Sequence, residues 1–300
     1  MFEPKSRFLT CDGKRIHFLD WEGPGDSPDK RCVIIWHGVT GRCSDHYNLA
    51  TRLAGLNYRV IAPDAPGCGL SDWAKTPERD HSLASYAEIA RALMTELNFE
   101  SVDWIGSSKG GALGIVLAGT HSPARINRLI LNDVGIGLPE RFRASLRKML
   151  GTPPLFDSFE GFEGFVRGFL EKGGLTLTEA EWRNLAQSWS RRTDDGRFTF
   201  HHDPALAEQI VHSPEDFDLW PQYDKVTAKT LLMRAAHSVV PDEEARAMAT
   251  RGPRARVINR PGGHITLVNE TDQQDLILDF LNDKLDMDHD AFRETMNEAG

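Results

Sequence analysis

The sequence predicts an α/β fold: a mostly parallel sheet, covered on both faces, with a helical insertion before its last strands. Three observations carry this. Short β-rich runs alternate with helical patterns through about residue 135, consecutive helical patterns replace the alternation from 138 to 223, and strand character returns at 227.

The elements follow in chain order. Residues 7–10 and 15–21 flank Asp12-Gly13, a dipeptide suited to a hairpin turn, so an antiparallel pair opens the sheet. Apolar runs bounded by turn signals place strands at 32–36, 58–62, 102–105 and 128–131. Residues 82–99 carry apolar side chains at 83, 86, 90, 93 and 97, which predicts an amphipathic covering helix with Ser85 and Glu88 spaced as a capping box. Residues 110–119 have almost no polar face, so that helix should be buried, and Pro123 closes the segment.

Three helices of period near 3.6 are expected next, at 139–150, 159–170 and 178–189, the last with a Thr178/Glu181 capping box. Nine of the fifteen phenylalanines fall between 142 and 217, with Trp182, Trp189 and Trp220. Packing of these helices on one another uses most of them, and some should face a pocket where the insertion rests on the sheet's edge. Strands return at 227–233 and 255–258, and a final helix starts at Thr271 with Gln274 completing a capping box and Leu276, Ile277, Phe280, Leu281 and Leu285 as its core face. The expected organisation is thus a main α/β unit of 1–137 and 224–285, a helical cap of 138–223, and a polar tail of 286–300.

With 40% apolar and 26% charged residues the chain reads as an ordinary soluble globular protein. A formal charge of −9 provides no footprint for nucleic acid or an anionic membrane surface. The start, MFEPKSRFLTCDGKR, has no apolar h-region, and no apolar run approaches the ~18 residues of a membrane span, so an unexported, cytoplasmic protein is expected. Cys11, Cys32, Cys43 and Cys68 show no CxxC spacing, which argues against a zinc cage, a redox pair or a disulfide framework.

The chemistry concentrates in VDWIGSSKGGALG, residues 102–114. A phosphate loop needs Lys and then a hydroxyl after its second glycine, whereas Lys109 precedes its glycines. Ser-x-x-Lys fails as well, because Gly110 and Gly111 stand three beyond Ser107 and Ser108. Gly106-x-Ser108-x-Gly110 fits a nucleophile turn between a strand and a buried helix, its glycines removing the Cβ clashes of a strained turn. Ser108 is the expected nucleophile, and the Lys109 N–H the first oxyanion donor. The second is the Val39 N–H, since His37-Gly38 ends the strand at 32–36 and Gly38 permits close approach; the His37 ring is expected only to brace that loop.

A general base belongs downstream at the same sheet edge, where Arg260-Pro-Gly-Gly-His264 follows the last strand, which selects His264. His17 falls within a strand. His201-His202-Asp203 lacks a third ligand at suitable spacing, so no metal is expected.

With these residues in hand, the chain resembles the α/β-hydrolase superfamily over about residues 5–285, through HGVTG, PDAPGCGLSD at 63–72, GSSKGG and GGH, in order and spacing. It is most similar to the esterase and carbon–carbon-bond hydrolase branches with a helical cap after the sixth strand. The resemblance implies an eight-stranded sheet, a Ser-acid-His triad, no cofactor and hydrolysis of an acyl bond. One departure stands out. The superfamily often carries its acid in a turn after the seventh strand, but here the turn reads Arg234-Ala-Ala-His-Ser-Val-Val-Pro241, without a carboxylate. Some members carry the acid after the sixth strand, where LILNDVG offers Asp133. Asp242 is the alternative acid, at the start of a helix after Pro241, and a Ser-His dyad is a third arrangement. Lys109 is also unusual, because an apolar residue commonly follows the nucleophile. It could pair with a carboxylate, contact an anionic substrate, or pack its stem while the ammonium reaches solvent.

The leading expectation is a serine hydrolase of a small, partly apolar ester, lactone or related acyl substrate. Carbon–carbon bond hydrolysis of a ring-fission product is the second reading, and a non-catalytic ligand-binding protein or receptor on the same scaffold the third. A homo-oligomer is compatible with all of them.

Overall fold

The computed structural model describes residues 2–24 and 30–285. Asp12 and Gly13 both take positive φ, 49° and 67°, so the chain reverses within two residues. That turn joins β1 (Lys5–Cys11) to β2 (Lys14–Trp21). The strands β3 (Cys32–Trp36), β4 (Arg59–Pro63), β5 (Ser101–Ser107) and β6 (Arg125–Asn132) follow. A small separate hairpin of β7 (Ser190–Arg192) and β8 (Phe198–Phe200) comes next, then β9 (Lys229–His237) and β10 (Arg256–Gly263). The eight-stranded sheet has the order β1-β2-β4-β3-β5-β6-β9-β10. Only β2 runs against its neighbours; the other pairings, from β4 to β10, are parallel.

Alternation along β3 shows why these runs read as continuously apolar. Val33 and Ile35 enter one core with Ile105, Ile130 and Leu231, while Ile34 and Trp36 enter the other with Trp104, Leu113 and Leu131. Several strands extend beyond their apolar runs at the carboxyl end. Gly106 and Ser107 stay in β5 because Ser107 keeps its register with Asn132 of β6, a polar continuation of the ladder that leads directly into the site.

Helices α1 (Tyr47–Gly55), α2 (Pro77–Asp80), α3 (Leu83–Glu96) and α4 (Lys109–Ala118) precede the insertion. Within it lie α5 (Glu140–Gly151), α6 (Phe159–Lys172), α7 (Glu179–Trp189) and the short α8 (Gln209–His212) and α9 (Trp220–Tyr223). The helices α10 (Asp242–Thr250) and α11 (Thr271–Leu281) flank β10. The Thr178/Glu181 capping box forms on α7, but two other caps differ from expectation. On α3 the cap is Ser82, whose Oγ accepts from the Ser85 N–H at 3.1 Å, and Glu88 pairs with Arg91 instead. On α11 Thr271 is already helical, and Gln274 donates to Val268 O, 2.9 Å away, and accepts from Arg52.

In the insertion, Phe162, Val166, Leu170, Trp182, Leu185 and Trp189 form a separate core, edged by rings such as Phe162 and Phe200, 5.0 Å apart. Trp220 packs elsewhere: it joins the main core and stacks on the Arg251 guanidinium at 3.9 Å. The four cysteines are free thiols, and no helix among the described residues is long and apolar enough to cross a membrane.

Candidate active site

Strand β5 ends at Ser107 and α4 starts at Lys109, so Ser108 makes the turn, with φ 49° and ψ −121°. A side chain at positive φ is strained, and the surroundings hold it there. A Cβ on Gly106 would stand 2.3 Å from Gly110 O, and one on Gly110 would stand 2.2 Å from Trp36 O. The Trp104 indole N–H fixes Gly110 O at 2.9 Å. The two glycines thus allow the strand, the turn and the helix to pass each other at backbone contact distance.

His264 Nε2 lies 3.1 Å from Ser108 Oγ, and its Nδ1 lies 2.8 Å from Asp133 Oδ2. A carboxylate only accepts, so Nδ1 carries the proton and Nε2 presents its lone pair to the serine hydroxyl. Asp133 follows β6 at φ 53° and is fully buried. Burial pushes its pKa up, but the hydrogen bonds from His264, Ser238 and the Ala235 N–H outweigh this and hold it below its ordinary value.

Those donors explain the turn that lacks an acid. Ala235 N–H donates to Asp133 Oδ1 at 2.9 Å, Ser238 Oγ donates to the same oxygen, and Val239 N–H reaches Oδ2 at 3.3 Å. The turn after β9 therefore cradles a carboxylate supplied by β6. Asp242, by contrast, begins α10 with a half-exposed side chain and pairs with Arg234. It makes no hydrogen bond to His264.

The two backbone segments expected to supply oxyanion donors both lie beside Ser108. A Cβ on Gly38 would sit 3.4 Å from Ser108 Cβ, so the loop carrying Val39 lies directly against that serine. The Lys109 N–H belongs to the first turn of α4, whose donors have no partner within the helix. Behind them the Ala65 N–H donates to His37 Nε2 at 2.9 Å, which leaves Nδ1–H to donate to Gly38 O at 2.6 Å. The His37 ring braces the loop, and burial pushes its pKa down to about 4.

The Lys109 side chain departs from the solvent-reaching expectation. It is buried, its Nζ donates to His81 O at 2.7 Å, and it stands 3.9 Å from the centre of the Tyr86 ring. Burial lowers its pKa to about 7.

A second polar line, unread in the sequence, runs beside the first. His46 Nδ1–H donates to Leu267 O at 3.1 Å, which leaves Nε2 to accept from Ser107 Oγ at 3.1 Å. Ser107 Oγ in turn accepts from Asn132 Nδ2 at 3.0 Å, and Asn132 Oδ1 accepts from Arg260 Nε at 3.1 Å. Ser107 and Asn132 are the chain neighbours of Ser108 and Asp133, and Arg260 and Leu267 flank His264. One directional chain of donors thus ties together the three segments that carry Ser108, Asp133 and His264.

His201, His202 and Asp203 do not converge on one point. His201 accepts from the Gly69 N–H and donates to Thr40 O, His202 reaches Leu150 O, and Asp203 caps the Ala205 N–H. Elsewhere His17, Cys43 and Asp64 bring ligand-type atoms within 4.8 Å of one another. Asp64 is already engaged there by His17 Nδ1 and by the Cys43 and Leu70 N–H groups, and burial pushes the Cys43 thiol far up, away from the thiolate a metal requires.

The buried neutral histidines set an acid limit. His37 and His201 each accept a backbone N–H, and burial depresses their pKa values from 6.5 to about 4 and about 3. As pH falls, the unfolded chain takes up these protons first. Stability is therefore intact above pH 6.5 and lost progressively toward pH 4, by roughly 3 kcal/mol from His37 alone. The urea midpoint, measured from pH 7.5 to 4.5, is expected to fall steeply below pH 6.5; a flat profile contradicts this account.

Ser108, His264 and Asp133 stand at one side of a cavity of about 730 Å³, a size suited to a small-molecule substrate. Its walls come from the main unit and the insertion, and include Val134, Ile136, Leu138, Phe142, Phe169 and Leu219.

This sheet order, with a strained serine turn at the end of a central strand, defines an α/β-fold hydrolase. The chain belongs to the alpha/beta hydrolase fold family, whose model matches residues 31–271. It is 30% identical to a 3-hydroxybutyrate-oligomer hydrolase of Cupriavidus necator, over 87% of this chain and 92% of that protein. An alpha/beta hydrolase structure from Novosphingobium aromaticivorans superposes with a TM-score of 0.82 and 29% identity, covering 94% of this chain and 99% of that one. An enol-lactonase structure from Burkholderia xenovorans shares the fold at a TM-score of 0.70, with 18% identity over 92% of this chain and all of that one. The protein is an enzyme, a hydrolase of the α/β fold.

Proposed function

We propose that the enzyme cleaves a carboxylic ester or lactone of a small, partly apolar substrate through an acyl-enzyme on Ser108. The line from Ser108 Oγ through His264 to Asp133, opening on an apolar cavity, carries this reading. Ser108 Oγ attacks the acyl carbon as His264 Nε2 takes its proton, and Asp133 stabilises the imidazolium. The oxyanion accepts from the Val39 and Lys109 N–H groups, each such donor being worth roughly 3 kcal/mol in the transition state. His264 returns the proton to the departing alkoxide, then removes one from water, which attacks the acyl carbon and releases the acid and free Ser108.

The ester reading is supported by the relative from Cupriavidus necator, whose name states hydrolysis of 3-hydroxybutyrate oligomers. The aromatic side chains of the insertion, which would suit a ring-fission product if they faced the cavity, largely pack among themselves in the insertion core. A fluorophosphonate is expected to add one label to the wild type, to block turnover of p-nitrophenyl butyrate in proportion, and to leave Ser108→Ala unlabelled. An unlabelled wild type, or equal labelling of Ser108→Ala, overturns the mechanism.

A further inference from the structure

Besides Ser108, His264 and Asp133, the cavity has a further polar stretch of wall. Asp216, from the insertion, and Gln209 line it there beside Leu83, Lys109 and Ala112 of α3 and α4. Asp216 is 9% exposed. Its Oδ2 accepts from the Leu83 N–H at 2.8 Å and from Gln209 Nε2 at 2.6 Å, whereas its Oδ1 accepts no hydrogen bond from any described residue. A buried carboxylate with one oxygen held by two donors and the other without one is an acceptor awaiting a ligand donor.

The charge nearby selects the kind of donor. Burial pushes the Asp216 pKa up, and Lys109, which forms no ion pair with it, acts on it through space in the opposite direction. A cationic donor would meet repulsion from Lys109 in its protonated form and an anionic ligand would meet the carboxylate, which leaves a neutral donor, of which a hydroxyl is the kind an ester substrate carries. The position selects the part of the substrate. In the proposed mechanism the alcohol leaves with the proton of His264, which follows β10, while the Asp216 end is built by α3, α4 and residues 209–219. That separation assigns the acyl chain to the Asp216 end.

We propose that Asp216, fixed by Gln209 and the Leu83 N–H, is a specificity-determining residue that accepts a hydrogen bond from a hydroxyl on the acyl chain of the substrate. The enzyme is then selective for hydroxyacyl esters. This inference rests on the ester-hydrolase reading.

The test compares p-nitrophenyl esters of butyric, 3-hydroxybutyric and 3-methoxybutyric acid, which share a leaving group. The 3-methoxy group accepts but cannot donate. In the wild type kcat/KM for the hydroxy ester is expected to exceed that for the butyrate by roughly tenfold to a hundredfold, with the methoxy ester no better than the butyrate. Asp216→Asn can keep both fixing bonds with its amide oxygen and turn its NH₂ to the cavity, so the methoxy ester is expected to gain relative to the hydroxy ester. A merely structural role for Asp216 would not move that ratio. Equal wild-type turnover of all three esters overturns the subsite alone, as does an unchanged ratio in a folded Asp216→Asn. Turnover of none overturns the ester-hydrolase reading and the subsite with it.

Discussion

Asp133→Asn is expected to lower kcat on a simple ester about 10⁴-fold while KM moves by no more than a few fold. The amide oxygen can still accept from the Ala235 N–H and from Ser238, so the fold survives. The amide NH₂ then faces His264 Nδ1 and selects the opposite tautomer, with Nε2–H directed at Ser108. A protonated Nε2 cannot take the serine's proton. Asp242→Asn is the control: its ion pair with Arg234 is solvent-facing and worth at most about 1 kcal/mol, so kcat should stay within about twofold. Stopped-flow and steady-state rates for the two variants decide between the carboxylates, and a larger loss in Asp242→Asn refutes the role of Asp133.

Gly110→Ala is expected to cost about 3–5 kcal/mol by urea unfolding. Its Cβ would meet Trp36 O at 2.2 Å and His37 O at 2.7 Å, both backbone atoms of a central strand and its loop. No flexible side chain is there to give way. Gly164→Ala in α6 supplies the contrast: nothing lies within 4 Å of the added methyl, and alanine in a helix gains about 0.5–1 kcal/mol over glycine. Equal unfolding midpoints for the two variants would contradict the packing described at the turn.

The sheet was legible because both faces of its strands are buried, which leaves uninterrupted apolar runs such as Val33 to Trp36. The serine turn was legible because its constraint is local: Gly106 and Gly110 must lack side chains for Ser108 to stand where it does. What escaped the sequence is held by partners far along the chain. Ser238 donates to a carboxylate 105 residues earlier, and the His46, Ser107, Asn132 and Arg260 line joins four segments with no shared spacing. The course of Lys109 stayed open in the sequence because its aliphatic stem suits either a buried or a solvent-reaching path, and only Tyr86 and His81 O show which was taken. The α11 cap failed for a related reason: Thr271 and Gln274 have the spacing, but the helix begins one residue too early for Thr271 to cap it.

The turn after β9 gives its hydrogen-bond donors to Asp133 and carries no acid of its own. The carboxylate therefore shares a chain segment with the cavity wall, since Val134, Gly135, Ile136, Gly137 and Leu138 follow Asp133 without interruption and all line the cavity. In an enzyme whose acid sits beyond the insertion, the wall could be rebuilt while the proton-handling residues stay untouched. On the proposed mechanism, a substitution that reshapes residues 134–138 for a bulkier acyl group is expected also to move the backbone that holds Asp133 against His264. Substrate range and turnover are then linked by covalent continuity, and variants selected for one are expected to carry a cost in the other.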